Sequence, residues 1–354
     1  CHNWQFEVLD MQIPTDSAFA TGYAGQRVRH PQREMNAGSG LLGVPDAEEF
    51  MVGVECAECH MPVTRAQRPS HRFQVMLPGE ADKWGVIKGG DSCTPCHPSR
   101  TRVQLQDSID EWQDETRDLV AEATSTMDAA RLRVGWAGTE TTFIATTSID
   151  PQVIAYKKAF HNRDFVQNDA TLGAHNPPYA QAGLEYSIRV ARSIGGAVAV
   201  SAAPAATYGT TLAITGTATL GDGGLPAAQR IEMQARPVGQ SEFVTVALAD
   251  TNGLGVFTAS YRLLADTELR ALWLSDSGVK TSAVLDVTVG DFGGLVPVTR
   301  AGGSDRYATA VKASQAVFST GSVRNIVLAS GMSFPDALSA SGFAGVAAAP
   351  LLLT

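Results

Sequence analysis

Three kinds of hydrophobic patterning succeed one another along the chain. Residues 1–103 hold few periodic runs and many Pro, Gly and charged positions. Beyond them, Leu105, Ile109, Trp112, Leu119, Val120, Ala123, Met127 and Ala130 recur at three- and four-residue intervals. That spacing predicts one helix of about seven turns. Its apolar stripe needs a cover, either a second helix or another subunit. Asp150-Pro151 supplies an N-cap and a first-turn proline for a second helix carrying Val153, Ile154, Tyr156, Ala159 and Phe160. A third helix is expected from Pro178 to Ser193, after the break at His175-Asn176-Pro177.

From about residue 196 the period changes. Seven runs read as strands: Val198–Ala203, Thr211–Thr219, Arg230–Val238, Phe243–Asp250, Gly255–Leu263, Glu268–Asp276 and Ser282–Gly290. Ile231, Met233 and Ala235 alternate with polar neighbours, as do Leu285, Val287 and Val289. Gly221-Asp222-Gly223-Gly224 and Thr251-Asn252-Gly253 are turn signals between runs. Seven short strands in so few residues predict an immunoglobulin-like or fibronectin-like β-sandwich. This stretch has no Cys and no His, so a spacer is the expected role. Past Gly290-Asp291-Phe292-Gly293-Gly294 the order becomes helix, strand, helix, strand.

The fold class expected is therefore multidomain. A mainly α segment with long C-terminal helices spans 1–195, an all-β sandwich 196–291, and a partial α/β repeat 292–354. A chain of 354 residues agrees with two or three domains. The net charge of −9 and the lack of a basic run exclude nucleic acid as a partner. Ile194–Ala206 and Phe343–Leu353, the longest apolar candidates, are too short and too rich in Ala and Gly to span a membrane.

The cysteines carry the chemistry. Cys56-Ala57-Glu58-Cys59-His60 and Cys93-Thr94-Pro95-Cys96-His97 both have the Cys-x-x-Cys-His form. That form attaches c-type haem: two thiols make thioethers to one porphyrin, and the next histidine is an axial ligand. Cys1-His2 reads as the end of a third motif whose start is missing, and the three sites use all five cysteines. The chain is therefore expected to be an internal fragment with at least three haem c sites, one truncated. A zinc ribbon usually separates its pairs by about 15–20 residues and gives no reason for a following histidine. All seven histidines fall between residues 2 and 175. His2, His60 and His97 are the proximal candidates. Of His30, His71, His161 and His175, the context favours His71 and His175 as distal metal ligands.

The segments Cys59-His60-Met61-Pro62, Ser70-His71-Arg72-Phe73, Cys93–His97, the long helix, and Gly173-Ala174-His175-Asn176-Pro177 follow one another in a known order. Over about residues 1–193 the chain resembles the C-terminal part of the pentahaem cytochrome c nitrite reductases (ammonia-forming). The resemblance implies that the three motifs hold the third, fourth and fifth haems. It makes His175 the distal ligand of the haem on Cys56 and Cys59. His71 would ligate a haem attached upstream, and the long helices would form a homodimer interface. Arg27-Val28-Arg29-His30-Pro31 is similar to the segment holding the family's active-site histidine, so His30 and Arg29 are the catalytic candidates. Family members with Gln at the position of Arg29 hold calcium there, and an arginine takes its place in others, so Arg29 argues against calcium. A cation beside the pocket attracts nitrite and stabilises the negative charge of reduction.

Three positions depart from that pattern. Asn3-Trp4-Gln5-Phe6 stands where the family has Glu-Tyr-Tyr, the stretch from His2 to His30 is shorter, and no histidine shortly precedes Cys56. Met35, Met51 and His161 are the other donors available for the last haem. The substrate-haem motif of the family is not in this chain.

At the other end, Arg300-Ala301-Gly302-Gly303-Ser304-Asp305-Arg306-Tyr307, Val327–Gly331, Phe334-Pro335-Asp336-Ala337-Leu338 and Ala349–Thr354 resemble the type 2 cell wall binding repeat of Gram-positive surface proteins. That resemblance implies binding to an anionic wall polymer. Asp305, Arg306 and Asp336 are read as holding the repeat's own structure. The function expected is a cell-surface multihaem oxidoreductase carrying electrons for six-electron reduction of nitrite to ammonium. The alternative is a wall-anchored electron conduit without that activity. Nitrite or another acceptor, a donor redox protein or quinol dehydrogenase, and wall polymer are the partners expected. The location expected is extracytoplasmic.

Overall fold

The computed structural model describes residues 16–21, 31–54, 56–60, 92–290, 302–319, 321–332, 334–347 and 349–354. The chain forms two compact units, Cys1–Gly290 and Asp291–Thr354. Helices and sheets both contribute to the larger one.

Short helices α1 (Asp16–Thr21), α2 (Gln32–Ala37) and α3 (Cys56–His60) precede the bundle. Helix α4 (Arg102–Arg133) starts at a reciprocal cap: the Gln104 amide donates to Thr101 Oγ1 at 3.2 Å, and the Thr101 amide donates to Gln104 Oε1 at 2.9 Å. It is deeply packed from its middle onward. Thr116, Ala123, Met127 and Ala130 are buried, whereas Leu105, Ile109 and Trp112 are half-covered. After α5 (Glu140–Ile144), helix α6 (Pro151–Asn168) is capped by Asp150, whose carboxylate accepts from the Gln152 amide at 2.8 Å. Helix α7 (Pro177–Ser193) is capped by Asn176. Helix α7 packs on both α4 and α6.

Helix α6 is buried on nearly every side, polar positions included: Lys157, His161, Asn162, Arg163 and Asp164 all lie inside. Such groups need partners. The Lys157 ammonium donates to the carbonyls of Phe19 at 2.8 Å and Thr146. Arg163 meets the Glu140 carboxylate through two bonds of 3.0 and 2.6 Å, and the Tyr156 hydroxyl donates to the same carboxylate at 2.9 Å. Burial first, then the Glu140 charge, pushes the Tyr156 phenol up.

Nine strands follow: β1 (Ala197–Ala202), β2 (Ala205–Thr207), β3 (Thr211–Thr219), β4 (Arg230–Pro237), β5 (Val244–Asp250), β6 (Val256–Arg262), β7 (Thr267–Ser275), β8 (Gly278–Thr281) and β9 (Leu285–Gly290). They build a three-stranded sheet, β1-β3-β6, and a six-stranded one, β2-β9-β7-β4-β5 with β8 on β7. Seven strands were expected. The two extra ones, β2 and β8, have three and four residues, too few to show an alternation. Ile214, Met233, Phe257, Leu269 and Trp273 lead the core of this region.

The sheets are tied to the helices. Lys280 Nζ and the Gly195 amide both donate to Gln152 Oε1, at 2.6 and 2.9 Å. The Gly221 amide donates to the Arg192 carbonyl at 2.8 Å, and a Cβ there would lie 1.7 Å from the Ile194 carbonyl oxygen.

The second unit alternates α8 (Arg306–Val317), β10 (Val327–Ala329), α9 (Phe334–Val346) and β11 (Leu351–Leu353), with β10 and β11 paired in parallel. A parallel pair needs a crossover, and α9 provides it. Asp305 caps α8, accepting from the Ala308 amide at 2.8 Å, and Arg306 donates to the Gly331 carbonyl at 2.7 Å. Asp336 lies in the first turn of α9. Among the described residues no helix is long and apolar enough to cross a membrane.

Candidate functional site

The first complete motif is itself helix α3. An i, i+3 spacing puts Cys56 and Cys59 on one side of a single turn, with His60 next in line. Both thiols are free. The Cys59 thiol is pushed up by burial first, then by the neighbouring Cys96, Glu58 and Cys56. The second motif is a turn closed by the Cys96 and His97 amides, which donate to the Cys93 carbonyl at 3.1 and 2.9 Å. Cys93 and Cys96 form no disulfide, and His97 is exposed.

The other half of the site comes from the loop between α6 and α7. Ala170, Leu172 and Gly173 there all have positive φ, at 60°, 52° and 80°. Two of these are not glycine, so the backbone is held in a costly conformation by its surroundings. Gln32 on α2 donates to the Asp169 carbonyl at 3.0 Å, and Gln113 on α4 to the Thr171 carbonyl at 3.0 Å. Asn176 reaches the Glu48 carbonyl at 3.3 Å. The Tyr179 hydroxyl accepts from the Leu41 amide at 2.9 Å, and burial pushes its phenol up to about 12. Three helices and the 36–48 segment thus fix one short loop.

That loop presents His175 to His60. The two ring centroids are 6.0 Å apart, with planes inclined by 57°. An imidazole nitrogen binds a first-row metal at about 2.0–2.1 Å and lies about 1 Å from its ring centroid, so two imidazoles on opposite sides of one metal have centroids about 6 Å apart. The separation fits an axial pair. Such a pair needs only two protein ligands, since a porphyrin supplies the rest. A closed zinc site needs four, and among the described residues no group of three or more His, Cys, Asp or Glu side chains converges.

His175 has its own support. Its Nδ1 lies 2.6 Å from Asp169 Oδ1, and the Asp169 side chain is fully buried. The Thr171 hydroxyl donates to the other carboxylate oxygen. A carboxylate only accepts, so Nδ1 carries the proton and the lone pair sits on Nε2. Nothing in the sequence pattern flagged Asp169; its partner lies six positions on, across backbone that looks unremarkable in composition.

Other donors fall elsewhere. His161 is buried between Phe19 and Phe165, with Nε2 3.0 Å from the Gly40 carbonyl. Burial holds its imidazole below the ordinary range. Met35 is buried with Leu41, Phe165 and Leu184 as core packing, and Met51 is half-covered. Cys1, His2, Arg29, His30 and His71 lie outside the described residues. In the second unit an apolar cleft of about 360 Å³, lined by Ala313, Phe318, Ala344 and Leu351 among others, offers no ionisable side chain.

The cytochrome c552 family model matches residues 20–233, running past Gly196 and ending midway through β4, and the cell wall binding domain 2 model matches residues 300–354. No curated protein matches. A solved cytochrome c nitrite reductase from Desulfovibrio desulfuricans is 22% identical, with a TM-score of 0.32, covering 47% of this chain and 31% of that one. A cell wall binding domain associates the chain with the cell wall. With paired Cys-x-x-Cys-His motifs and a family model that covers most of its length, the chain belongs to the cytochrome c552 family of multihaem c-type cytochromes.

Proposed function

We propose that the chain is part of a cell-surface multihaem reductase of the ammonia-forming nitrite reductase type. The observation that carries this reading is the pair His60 and His175, 6.0 Å apart, beside the thiols of Cys56 and Cys59. Cys56 and Cys59 would hold one haem c, with His60 and His175 as its protein ligands. Cys93, Cys96 and His97 hold a second, and Cys1 with His2 belongs to a third. His71 reaches a haem attached upstream. Bound haem supplies one-electron redox chemistry, and the protein sets its spacing and potential. His30 and Arg29 serve the substrate pocket, where a guanidinium favours an anion. No calcium is assigned.

The sheets of residues 197–290 act as an immunoglobulin-like spacer, and the terminal repeat binds wall polymer of a Gram-positive type. The long helices pair two copies. A donor redox protein or quinol dehydrogenase supplies electrons.

A second reading is kept because Asn3-Trp4-Gln5-Phe6 lacks a tyrosine where the resembling enzymes have one. In it, the same scaffold conducts electrons along the wall to another acceptor. Ammonium production from nitrite by the full-length, haem-loaded protein, driven by a reduced viologen dye, separates the two. Stoichiometric ammonium supports the reductase. No ammonium from protein whose haems still cycle contradicts it and leaves the conduit.

A further inference from the structure

Asp169 is a buried carboxylate whose described partners are one hydroxyl and one imidazole. Its side chain is fully buried, and its contacts are Thr171 Oγ1 and His175 Nδ1, the latter at 2.6 Å. Among the described residues no lysine or arginine forms an ion pair with it. A full negative charge inside a protein needs compensation. The nearest source is the imidazole and whatever that imidazole binds through its opposite nitrogen.

From this geometry we infer that Asp169 is the positioning residue of His175 and sets the reduction potential of the haem held between His60 and His175. The inference rests on the axial-pair reading above. Asp169 acts in two ways. Its carboxylate fixes the tautomer, leaving Nε2 as the donor atom, and fixes the ring's rotation. It also draws the Nδ1 proton toward itself, which makes the imidazole a stronger electron donor. A stronger donor, and a negative charge close by, favour the ferric over the ferrous state. The potential of this haem is lowered by Asp169.

The loop geometry is built for that contact. Gln32 and Gln113 hold the backbone carbonyls of Asp169 and Thr171, which fixes the backbone from which the carboxylate reaches His175. The left-handed residues Ala170 and Leu172 alternate with those anchors. The strain is kept at the spot where it orients a ligand.

The test is a spectroelectrochemical titration of the full-length, haem-loaded protein and three variants. Asp169→Asn keeps an acceptor oxygen and removes the charge. At a fixed poise it is expected to raise the ferrous-to-ferric ratio of one haem about tenfold, which is about 59 mV for a one-electron couple. The other haems are expected to stay within the wild-type spread. Asp169→Glu keeps the charge and is expected to return the potential most of the way. A merely structural role moves stability without moving one potential selectively. If Asp169→Asn stays low-spin and no potential moves, the inference is overturned while the ligand pair stands. If His175→Ala leaves every haem low-spin, the ligand pair itself is wrong, and the inference falls with it.

Discussion

Gly173 links backbone geometry to the haem ligand two residues later. Its φ is +80°, and a Cβ built there would sit 2.8 Å from Thr116 Oγ1 and 3.0 Å from the Ala180 Cβ. Neither neighbour can give way cheaply. Thr116 is fully buried on α4 and stiff at χ1, and the Ala180 Cβ is fixed to the backbone of α7. Gly173→Ala therefore has two costs. Left-handed backbone costs a non-glycine residue about 1–2 kcal/mol. Forcing an extra methyl into a packed site adds about 1–3 kcal/mol. The sum, about 2–5 kcal/mol, lowers the thermal midpoint by about 2–4 °C per kcal/mol for a unit of this size. The loop can escape only by moving, and His175 moves with it. Gly135 is the control. Its φ is +72°, yet nothing lies within 4 Å of a Cβ there, so Gly135→Ala carries the backbone cost alone. The assay is thermal unfolding together with the ferric absorption and electron paramagnetic resonance spectra of haem-loaded protein. Gly173→Ala is expected to be the less stable of the two and to turn part of one haem high-spin. Equal midpoints and identical low-spin spectra for both variants would refute the reasoning.

Three further outcomes follow from the buried polar groups. Glu140→Gln leaves the Arg163 guanidinium inside without its counter-charge, and such a loss costs about 3–5 kcal/mol; thermal midpoints of wild type and variant measure it, and an unchanged midpoint would contradict the pairing. Burial pulls the Lys280 ammonium down from its ordinary 10.5 to about 8, against the opposing pull of Asp150. Between those values the unfolded chain keeps a proton that the folded one has lost, so stability rises with pH across that window. Denaturant midpoints should climb there in wild type and climb less in Lys280→Met; parallel slopes would sink the claim. Burial also holds His161 low, so below pH about 6.5 the unfolded chain takes up the proton first and stability falls with acid. His161→Leu is expected to flatten that limb, which urea midpoints at several pH values will read.

Much of the architecture is local chemistry, and that part is legible in the sequence. Asp150-Pro151 marks a helix start because capping involves only neighbouring residues, and the break at His175-Asn176-Pro177 places the next helix within one residue of its start at Pro177. The spacing that predicts α4 is the spacing that buries Ala123, Met127 and Ala130. Strands of six residues or more announce themselves by alternation; β2 and β8 do not. Cys56–His60 is legible because haem attachment fixes its spacing. Other features depend on partners far along the chain. Lys157, Arg163 and Asp164 carry no sign of burial in the sequence, yet α1, α4, α5 and α7 enclose them. Asp169 reads as an ordinary loop acid. Its role comes from a left-handed turn at Ala170 and Leu172, residues with no compositional sign of that conformation. The pairing of His60 with His175, 115 positions apart, is implied in the sequence only through the family resemblance, because no local spacing links them.

The central claim is that His60 and His175 ligate one iron from opposite faces. Electron paramagnetic resonance of the ferric, haem-loaded protein tests it directly, comparing wild type with His175→Ala. The account predicts that one low-spin signal disappears and a high-spin signal of equal intensity replaces it, while the remaining signals keep their positions. Spectra in which every low-spin signal survives the substitution would contradict it.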